Sequence, residues 1–156
     1  MDHYLNVARL AEFFVGASHT SLSHRYRAGL LPDPDIYAGA APGWGPERGA
    51  LYGAFYRPSP RSRLRLPDPL PPWWEVASPV YYLSGREVAG VLGIGAGSVA
   101  TYRWRDAGFV RPAVVIGADT FGWDHEEILL WGIRNEYLDE QGNVLPLRPH
   151  TRRSWR

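Results

Sequence analysis

Apolar residues near the N-terminus of the chain recur at intervals of three and four positions, the spacing of one face of a helix. The residues of this stripe are Val7, Leu10, Ala11 and Phe14. Asn6 precedes the stripe as an N-cap, Gly16 interrupts it, and Ser18 is a favourable N-cap for a second helix. In that second helix Leu22 and Tyr26 lie four residues apart and are expected to face inward. The segment therefore predicts two consecutive helices.

A hairpin and a third helix are predicted to follow. Gly29 suits the end of the second helix. Short extended segments around Asp35–Tyr37 and Gly43–Trp44 predict two strands. Pro46 fits the first position of a third helix. The residues available to pack this helix are Leu51, Phe55 and Tyr56.

The same order recurs from Val80 onward. Ser84 and Glu87 have the spacing of a capping box, which predicts the start of a helix. Its buried stripe is expected to be Val88, Val91 and Leu92. In the next helix Val99 is the expected anchor, with Tyr102 on the same inner side.

The second half also ends in a hairpin and a helix. The exit Ala107–Val110 leads to two predicted strands, Ala113–Ile116 and Thr120–Trp123. Asp124 then caps a longer third helix, which Gln141–Asn143 ends. The inward residues of this helix are expected to be Ile128, Leu129, Ile133 and Tyr137.

The two halves are related in sequence as well as in element order. Ala28–Tyr52 aligns without gaps with Ala107–Trp131. Identical pairs are Ala28/Ala107, Gly29/Gly108, Gly43/Gly122, Trp44/Trp123, Glu47/Glu126 and Leu51/Leu130. Two copies indicate two related modules rather than a solenoid.

The stretch SHTSLSHRYRAGLLP, Ser18–Pro32, resembles the recognition helix and exit of the MerR/excisionase-like winged-helix superfamily, of phage or actinobacterial type. In that family a Ser caps the helix, a branched apolar residue anchors it, and Gly-Leu-Leu-Pro follows. Leu22 to Gly29 keeps the family's spacing, and Ala89 to Gly93 keeps the spacing of its preceding turn. The resemblance implies a mainly α fold with small β wings, built as two tandem winged helix-turn-helix domains that bind double-stranded DNA.

The predicted domain boundaries are a winged helix in residues 1–56, a Pro/Arg-rich linker in 57–79, a second winged helix in 80–140 and a basic tail in 141–156. The linker holds 7 of the 14 prolines, which favours extended chain. At about 3.1 Å per residue it can span two DNA half-sites about 34 Å apart. Trp73 and Trp74 are expected to dock onto one module.

Composition changes the prediction only locally. The formal net charge is +1, so bulk electrostatics does not indicate a nucleic-acid partner. All 17 basic residues are Arg, which suits guanine edges and phosphates but is equally typical of a GC-rich genome. With no Cys, thiolate zinc sites and disulfides are excluded. The absence of a long apolar run or a signal layout leads us to expect a soluble, cytoplasmic, nucleoid-associated protein without membrane contact.

The candidate DNA contacts are side chains with hydroxyl, imidazole or guanidinium groups, because these pair with base edges and phosphates. On the first recognition helix they are His19, Thr20, Ser23, His24, Arg25 and Arg27. On the second they are Ser98, Thr101, Arg103 and Arg105, with Trp104 also pointing outward. Arg61, Arg63 and Arg65 of the linker form either an arm that contacts DNA or part of a solvated, partly disordered tether. Since the two faces differ, the expected site is asymmetric or an imperfect direct repeat.

Other chemistries have weaker signals. The glycines at 93, 95 and 97 imitate a dinucleotide-binding loop but follow a predicted helix rather than a strand. His19 and His24 do not share a helix face, and His125 has acids beside it but no second ligand. Core packing explains the candidate tyrosine nucleophiles Tyr52, Tyr56 and Tyr102. We therefore expect no enzyme activity, no cofactor and no metal.

The expected function is transcriptional regulation, or phage-type repression, by occupancy of a specific site. One alternative is an excisionase-like architectural factor that bends DNA, and another is a protein-interaction adaptor that does not bind DNA. Integrase or RNA polymerase would be the further protein partner. The chain is expected to act as a monomer with two DNA-binding heads or as a weak oligomer.

Overall fold

The computed structural model describes residues 1–13, 18–55, 66–105 and 108–146, and the side chain of Phe13 lies outside this description. Two units with the same element order make up the fold. The first unit contains β1 (Asp2–Tyr4), α1 (Val7–Leu10), α2 (His19–Arg27), β2 (Ile36–Ala38), β3 (Ala41–Gly43) and α3 (Pro46–Phe55). The second contains β4 (Val80–Tyr82), α4 (Gly85–Leu92), α5 (Ala96–Arg105), β5 (Val114–Ile116), β6 (Thr120–Gly122) and α6 (His125–Arg134). Short 3-10 turns follow α1 at Ala11–Phe13 and precede β4 at Pro72–Trp74.

The predicted helix starts are confirmed by their caps. The Asn6 side chain accepts from the backbone N–H of Arg9 at 2.8 Å, and Ser18 Oγ accepts from that of Ser21 at 3.1 Å. Ser84 and Glu87 form a complete capping box at α4. The carboxylate of Asp124 caps α6. Each cap satisfies backbone donors that a helix leaves unpaired at its first turn.

Two expectations about the third helices are wrong. Helix α3 buries Tyr52 rather than Leu51, which is 45% exposed. Phe55 is 50% exposed but packs edge to face against Trp73, with ring centroids 5.8 Å apart. Tyr52 turns inward because Trp74 packs against it edge to face, with ring centroids 5.6 Å apart. Helix α6 has 10 residues, as α3 has, and ends at Arg134 because Glu136 takes a left-handed φ of 61°.

Each unit has its own apolar core behind its helices. The first core comprises Leu10, Leu22, Leu31, Trp44, Tyr52 and Trp74. The second comprises Val88, Ala89, Leu92, Val99, Phe109, Trp123, Ile128, Trp131, Tyr137 and Leu138. Trp44 and Trp123 are equivalent in the two cores, and each indole N–H donates to the chain that leaves the second helix, at Pro32 and Val110 respectively.

The sheets join the two units because each unit gives its first strand to the other. Strand β1 pairs in parallel with β5, and β4 pairs in parallel with β2. Each hairpin also pairs within itself, so the two sheets have the orders β1-β5-β6 and β3-β2-β4. The residue after each exchanged strand returns to its own unit, through the bridges Leu5–Trp44 and Leu83–Trp123.

A third core lies between the units. It consists of Ile36, Ala38, Val114 and Ile116, each at most 2% exposed. Tyr4 and Tyr82 pack against it from the two exchanged strands. Burial raises the pKa of Tyr4 above 10.0, and the neighbouring Tyr82 raises it further. The halves are therefore interlocked by the exchanged strands and by this third core.

The fold class is mixed α/β rather than mainly α. Over the described residues it has six α-helices and two three-stranded sheets. The predicted hairpins are present, but their strands belong to sheets that bind the units together. Strands β1 and β4 were not predicted from the sequence, because each is only three residues long and has no alternating pattern of its own.

The C-terminal part of the linker is docked, as its two tryptophans predicted. Trp74 is 3% exposed within the first core, and Trp73 packs beside it. Arg48 of α3 donates to the carbonyl oxygens of both tryptophans and forms an ion pair with Asp35 at 3.1 Å. The segment from Leu70 to Val76 is thus packed on the first unit. No helix among the described residues is long and apolar enough to cross a membrane.

Candidate nucleic-acid interface

Helix α2 is held from behind by its apolar side. Leu22 is fully buried, and the ring of Tyr26 meets that of Trp44 edge to face at 5.7 Å. Gly29 ends the helix with a left-handed φ of 70°, which turns the chain toward the core. The orientation of the helix is therefore fixed by the core and not by its exposed side chains.

The opposite side of α2 is polar. His19, Thr20, His24 and Arg27 are exposed there, and Ser23 is half-buried. The prediction that Arg25 belongs to this face is wrong, because Arg25 is only 5% exposed. It follows Leu22 by three positions, so the helical period places it on the buried side.

Helix α5 is held in an equivalent way. Val99 is 2% exposed, and Tyr102 packs against Phe109 with ring centroids 5.7 Å apart. Helix α5 has 10 residues where α2 has nine. The difference agrees with the sequence, in which Val99 and Gly108 are nine positions apart whereas Leu22 and Gly29 are seven apart.

The outer side of α5 carries a different set of groups. Thr101, Trp104 and Arg105 are exposed, and Ser98 is half-buried. The Thr101 hydroxyl donates to the Gly97 carbonyl oxygen at 3.2 Å, so its proton is engaged while its oxygen can still accept. Trp104 is 76% exposed, which confirms the outward direction expected for it.

Arg103 is held between two aromatic rings. Its guanidinium carbon lies 3.7 Å from the centroid of Phe121 and 4.7 Å from that of Trp104. Cation–π attraction at these distances ties α5 to β6. Arg103 therefore positions the outer side of α5 in addition to offering charge.

A basic cleft of about 320 Å³ lies at the C-terminal end of α5. None of the described residues that line it is acidic. The lining residues are Arg103, Trp104, Arg105, Phe109, Val110, Arg111 and Pro112. Three guanidinium groups around an exposed indole favour phosphate oxygens and a stacked planar ring.

Arg111 is a site residue that the sequence prediction missed. The indole N–H of Trp44 donates to Pro32, and that of Trp123 donates to Val110, so Pro32 and Val110 are equivalent in the segments that leave α2 and α5. Arg111 can be placed only from this equivalence. Asp33 then occupies the equivalent place in the first unit, where its carboxylate accepts from the backbone N–H of Val76 at 3.0 Å. The second unit is therefore the more basic of the two at this place.

The hairpins do not stand free as wings. Strands β2 and β5 are the central strands of their sheets, so the exchanged strands cover their edges. Exposed hairpin positions are confined to the turns, at Ala40, Ala118 and Asp119. These turns are therefore the most accessible parts of the two hairpins.

Several predicted features lie outside the described residues. These are Arg61, Arg63 and Arg65 of the linker, the Arg-rich segment 148–156, Phe14, Gly16 and Tyr56. The glycines at 93, 95 and 97 follow helix α4, and Gly93 is its left-handed C-cap, unlike a loop that follows a strand. No three His, Cys, Asp or Glu side chains within the described ranges are placed to share a metal ion.

The chain matches no protein-family model, no curated protein and no solved structure.

Proposed function

We propose that the chain is a sequence-specific double-stranded DNA-binding protein built from two winged helix-turn-helix units, with α2 and α5 as its reading helices. One observation carries this proposal. Each of these two helices buries an apolar side against its own core and presents a polar side, and neither contains an acidic residue. Short helices of this kind are suited to a major groove, because their side chains reach base edges while the ends contact phosphates.

Local charge supports the proposal more than net charge does. The chain carries a formal net charge of +1, so attraction over long distances is weak. Positive groups are nevertheless concentrated beside the reading helices, at Arg27 in the first unit and around the basic cleft in the second. The acids nearest to the first exit are both engaged. Asp33 accepts from the backbone N–H of Val76 in the docked linker, and Asp35 pairs with Arg48 of α3.

Occupancy of a specific site is the simplest regulatory action of such a protein. It would act as a transcriptional regulator or phage-type repressor and would be found on the nucleoid. The interlocked halves present both reading helices on a single chain, so no second chain is required for two-headed binding.

A protein partner is the second candidate, and a separate observation favours it. Leu51 of α3 and Leu130 of α6 occupy equivalent positions and are 45% and 55% exposed. Exposed leucines at matching places on both third helices suit contact with another protein, such as integrase or RNA polymerase. Such contacts are compatible with a recombination factor or an adaptor.

The proposal is tested by titrating the full chain against a random-sequence duplex in a gel shift at several salt concentrations. We expect salt-sensitive retardation of duplex DNA at micromolar protein, since phosphate contacts release counterions. Single-stranded DNA and RNA of equal length are the controls. Absence of salt-sensitive retardation would contradict the proposal of DNA binding and would leave the protein-interaction adaptor as the remaining candidate function. Mapping bound genomic sites then separates regulation, with sites over promoters, from recombination, with sites beside integrase core sequences.

A further inference from the structure

The exchange of strands between the units is reciprocal. Asp2 of β1 lies opposite Val114, and Val80 of β4 lies opposite Ile36, each in a parallel pair. The first unit thus gives the second the same contact that it receives. Reciprocal contacts of this kind define a twofold relation, whereas a head-to-tail arrangement gives each contact only once.

Hydrogen bonds at the hairpin turns repeat the relation. The backbone N–H of Gly39 donates to Tyr82 at 2.9 Å, and that of Gly117 donates to Tyr4 at 2.8 Å. Both glycines have a left-handed φ, of 58° and 66°. The relation therefore holds for backbone conformation as well as for strand pairing.

The packing of the turns shows the same reciprocity. A Cβ at Gly39 would lie 2.9 Å from Cβ of Ser84, and one at Gly117 would lie 2.8 Å from Cγ of Asn6. Ser84 and Asn6 are the N-caps of α4 and α1. Each hairpin turn is thus seated on the first helix of the opposite unit.

The pseudo-twofold axis passes through the core between the units. That core takes two residues from each hairpin, namely Ile36 and Ala38 from β2 and Val114 and Ile116 from β5. Because these contacts hold the halves together directly, the orientation of the reading helices is set by the shared core. The linker, which would have allowed any arrangement, does not set it.

From this symmetry we infer that the DNA site is an imperfect inverted repeat, read by one chain that has the symmetry of a dimer. The inference rests on the proposed function. A twofold-related pair of reading helices meets the two strands of a duplex in opposite senses, so equivalent half-sites must be inverted and one fixed distance apart. This replaces the direct repeat expected for modules on a flexible tether.

The two half-sites are unequal because the two heads are unequal. Helix α5 is accompanied by the cleft with Arg105 and Arg111, whereas α2 has His24, Arg27 and an acid at the place of Arg111. The half-site under α5 is expected to contribute more affinity. The palindrome should therefore be detectable as a strong half and a weak half.

The experiment uses two half-sites obtained by selection from random duplex with the full chain. They are rebuilt as inverted, everted and direct repeats, and the spacing is varied in single base pairs across one helical turn. We expect one inverted or everted arrangement, at one spacing, to bind at least tenfold tighter than every direct repeat, with one chain per duplex. A probe with the weak half scrambled is the control and should bind like the direct repeats.

Arg27→Ala and Arg105→Ala assign the half-sites. Each variant should lose discrimination at a different half of the preferred probe while keeping discrimination at the other. A direct repeat that binds as tightly as the best inverted one, or one chain that holds two separate duplexes, would overturn the inverted-repeat inference while leaving DNA binding intact. Failure to bind any duplex would contradict the proposed function itself and the inference with it.

Discussion

The backbone N–H of Gly117 donates to the carbonyl oxygen of Tyr4 at 2.8 Å, although the two residues belong to opposite halves of the chain. Together with its counterpart from Gly39 to Tyr82, this bond locks each hairpin turn onto the strand that precedes the other unit's first helix. The two halves therefore form one structural body around a shared core. This body, and not the linker, determines how the two polar helices are presented.

Substitution of Gly39 by Ala tests the interlock. The new Cβ would lie 2.9 Å from Cβ of Ser84, an atom fixed to the backbone, and the φ of 58° disfavours any L side chain. We expect the free energy of unfolding in urea to fall by about 2 to 4 kcal/mol, from conformational strain and steric overlap together.

Gly29→Ala is the matched control, because Gly29 has a φ of 70° and nothing within 4 Å of its Cβ position. It should lose only the conformational part, about 1 to 2 kcal/mol. Equal losses in the two variants would show that the turn at Gly39 is not seated against Ser84.

Arg48→Ala tests the docking of the linker. The Arg48 side chain is 14% exposed and serves Asp35 and the carbonyls of Trp73 and Trp74 at once. Removal of the guanidinium takes a donor away from each of these part-buried acceptors. We therefore expect the free energy of unfolding to fall by about 2 to 3 kcal/mol and the tryptophan fluorescence to change.

Arg9→Ala provides the comparison for Arg48→Ala. Arg9 also forms an ion pair at 3.1 Å, with Glu12, but both side chains are more than half exposed. The free energy of unfolding should therefore fall by less than about 1 kcal/mol in Arg9→Ala. Equal losses of stability in Arg48→Ala and Arg9→Ala would show that Arg48 does not hold the Trp73–Trp74 segment.

Arg111→Ala tests the basic cleft. If Arg111 contacts a phosphate, its loss should weaken binding to all duplexes alike and reduce the slope of log affinity against log salt by about one. Fluorescence anisotropy with preferred and random duplexes measures both effects. Arg134→Ala is the control, because Arg134 is an exposed arginine in the last turn of α6. An unchanged salt slope in Arg111→Ala would exclude the cleft from the DNA contact.

Asp139 makes the stability of the second unit depend on pH in the acidic range. Its carboxylate accepts from the backbone N–H groups of Asn143 at 2.8 Å and Gln141 at 3.0 Å, and these bonds lower its pKa below 3.8. The folded state therefore binds this proton more weakly than the unfolded state does. The resulting stability is present above about pH 4 and is lost as the pH falls through the folded pKa.

Asp139→Ala should consequently be less stable than the wild type in urea at pH 7, and the difference should shrink as the pH falls below 4. Asp139→Asn keeps an acceptor oxygen without a titrating group and is the control. A difference between Asp139→Ala and wild type that stays constant between pH 7 and pH 2 would remove the carboxylate as its cause.

The features predictable from sequence were those decided by neighbouring residues. Ser18, the Ser84–Glu87 pair and Asp124 mark helix starts because a cap needs only the next turn of chain. The repeat likewise identified equivalent hairpins, although the turn of the second hairpin is one residue longer: Ile36 is equivalent to Val114, whereas Trp44 is equivalent to Trp123.

The exchange of β1 and β4 could not be predicted, because a three-residue strand does not specify a partner a whole unit away in sequence. Two residues of the candidate site were assigned wrongly: Arg25 was placed on the outer face although its spacing from Leu22 puts it on the buried side, and Arg111 was missed. Arg25 resembles its exposed neighbours in sequence but is buried, and Arg111 joins the cleft only through the path of the exit.

The most direct test of the proposed function is the affinity of the Arg27→Ala, Arg105→Ala double variant for the preferred duplex, measured at fixed salt on protein shown by circular dichroism to be folded. Both side chains are exposed on acid-free helices, so their loss should leave stability nearly unchanged. Removal of two base-reading arginines at about 1 to 3 kcal/mol each predicts a fall in affinity of at least about 30-fold together with loss of preference over random duplex. Unchanged affinity and preference would contradict the placement of α2 and α5 as the reading helices.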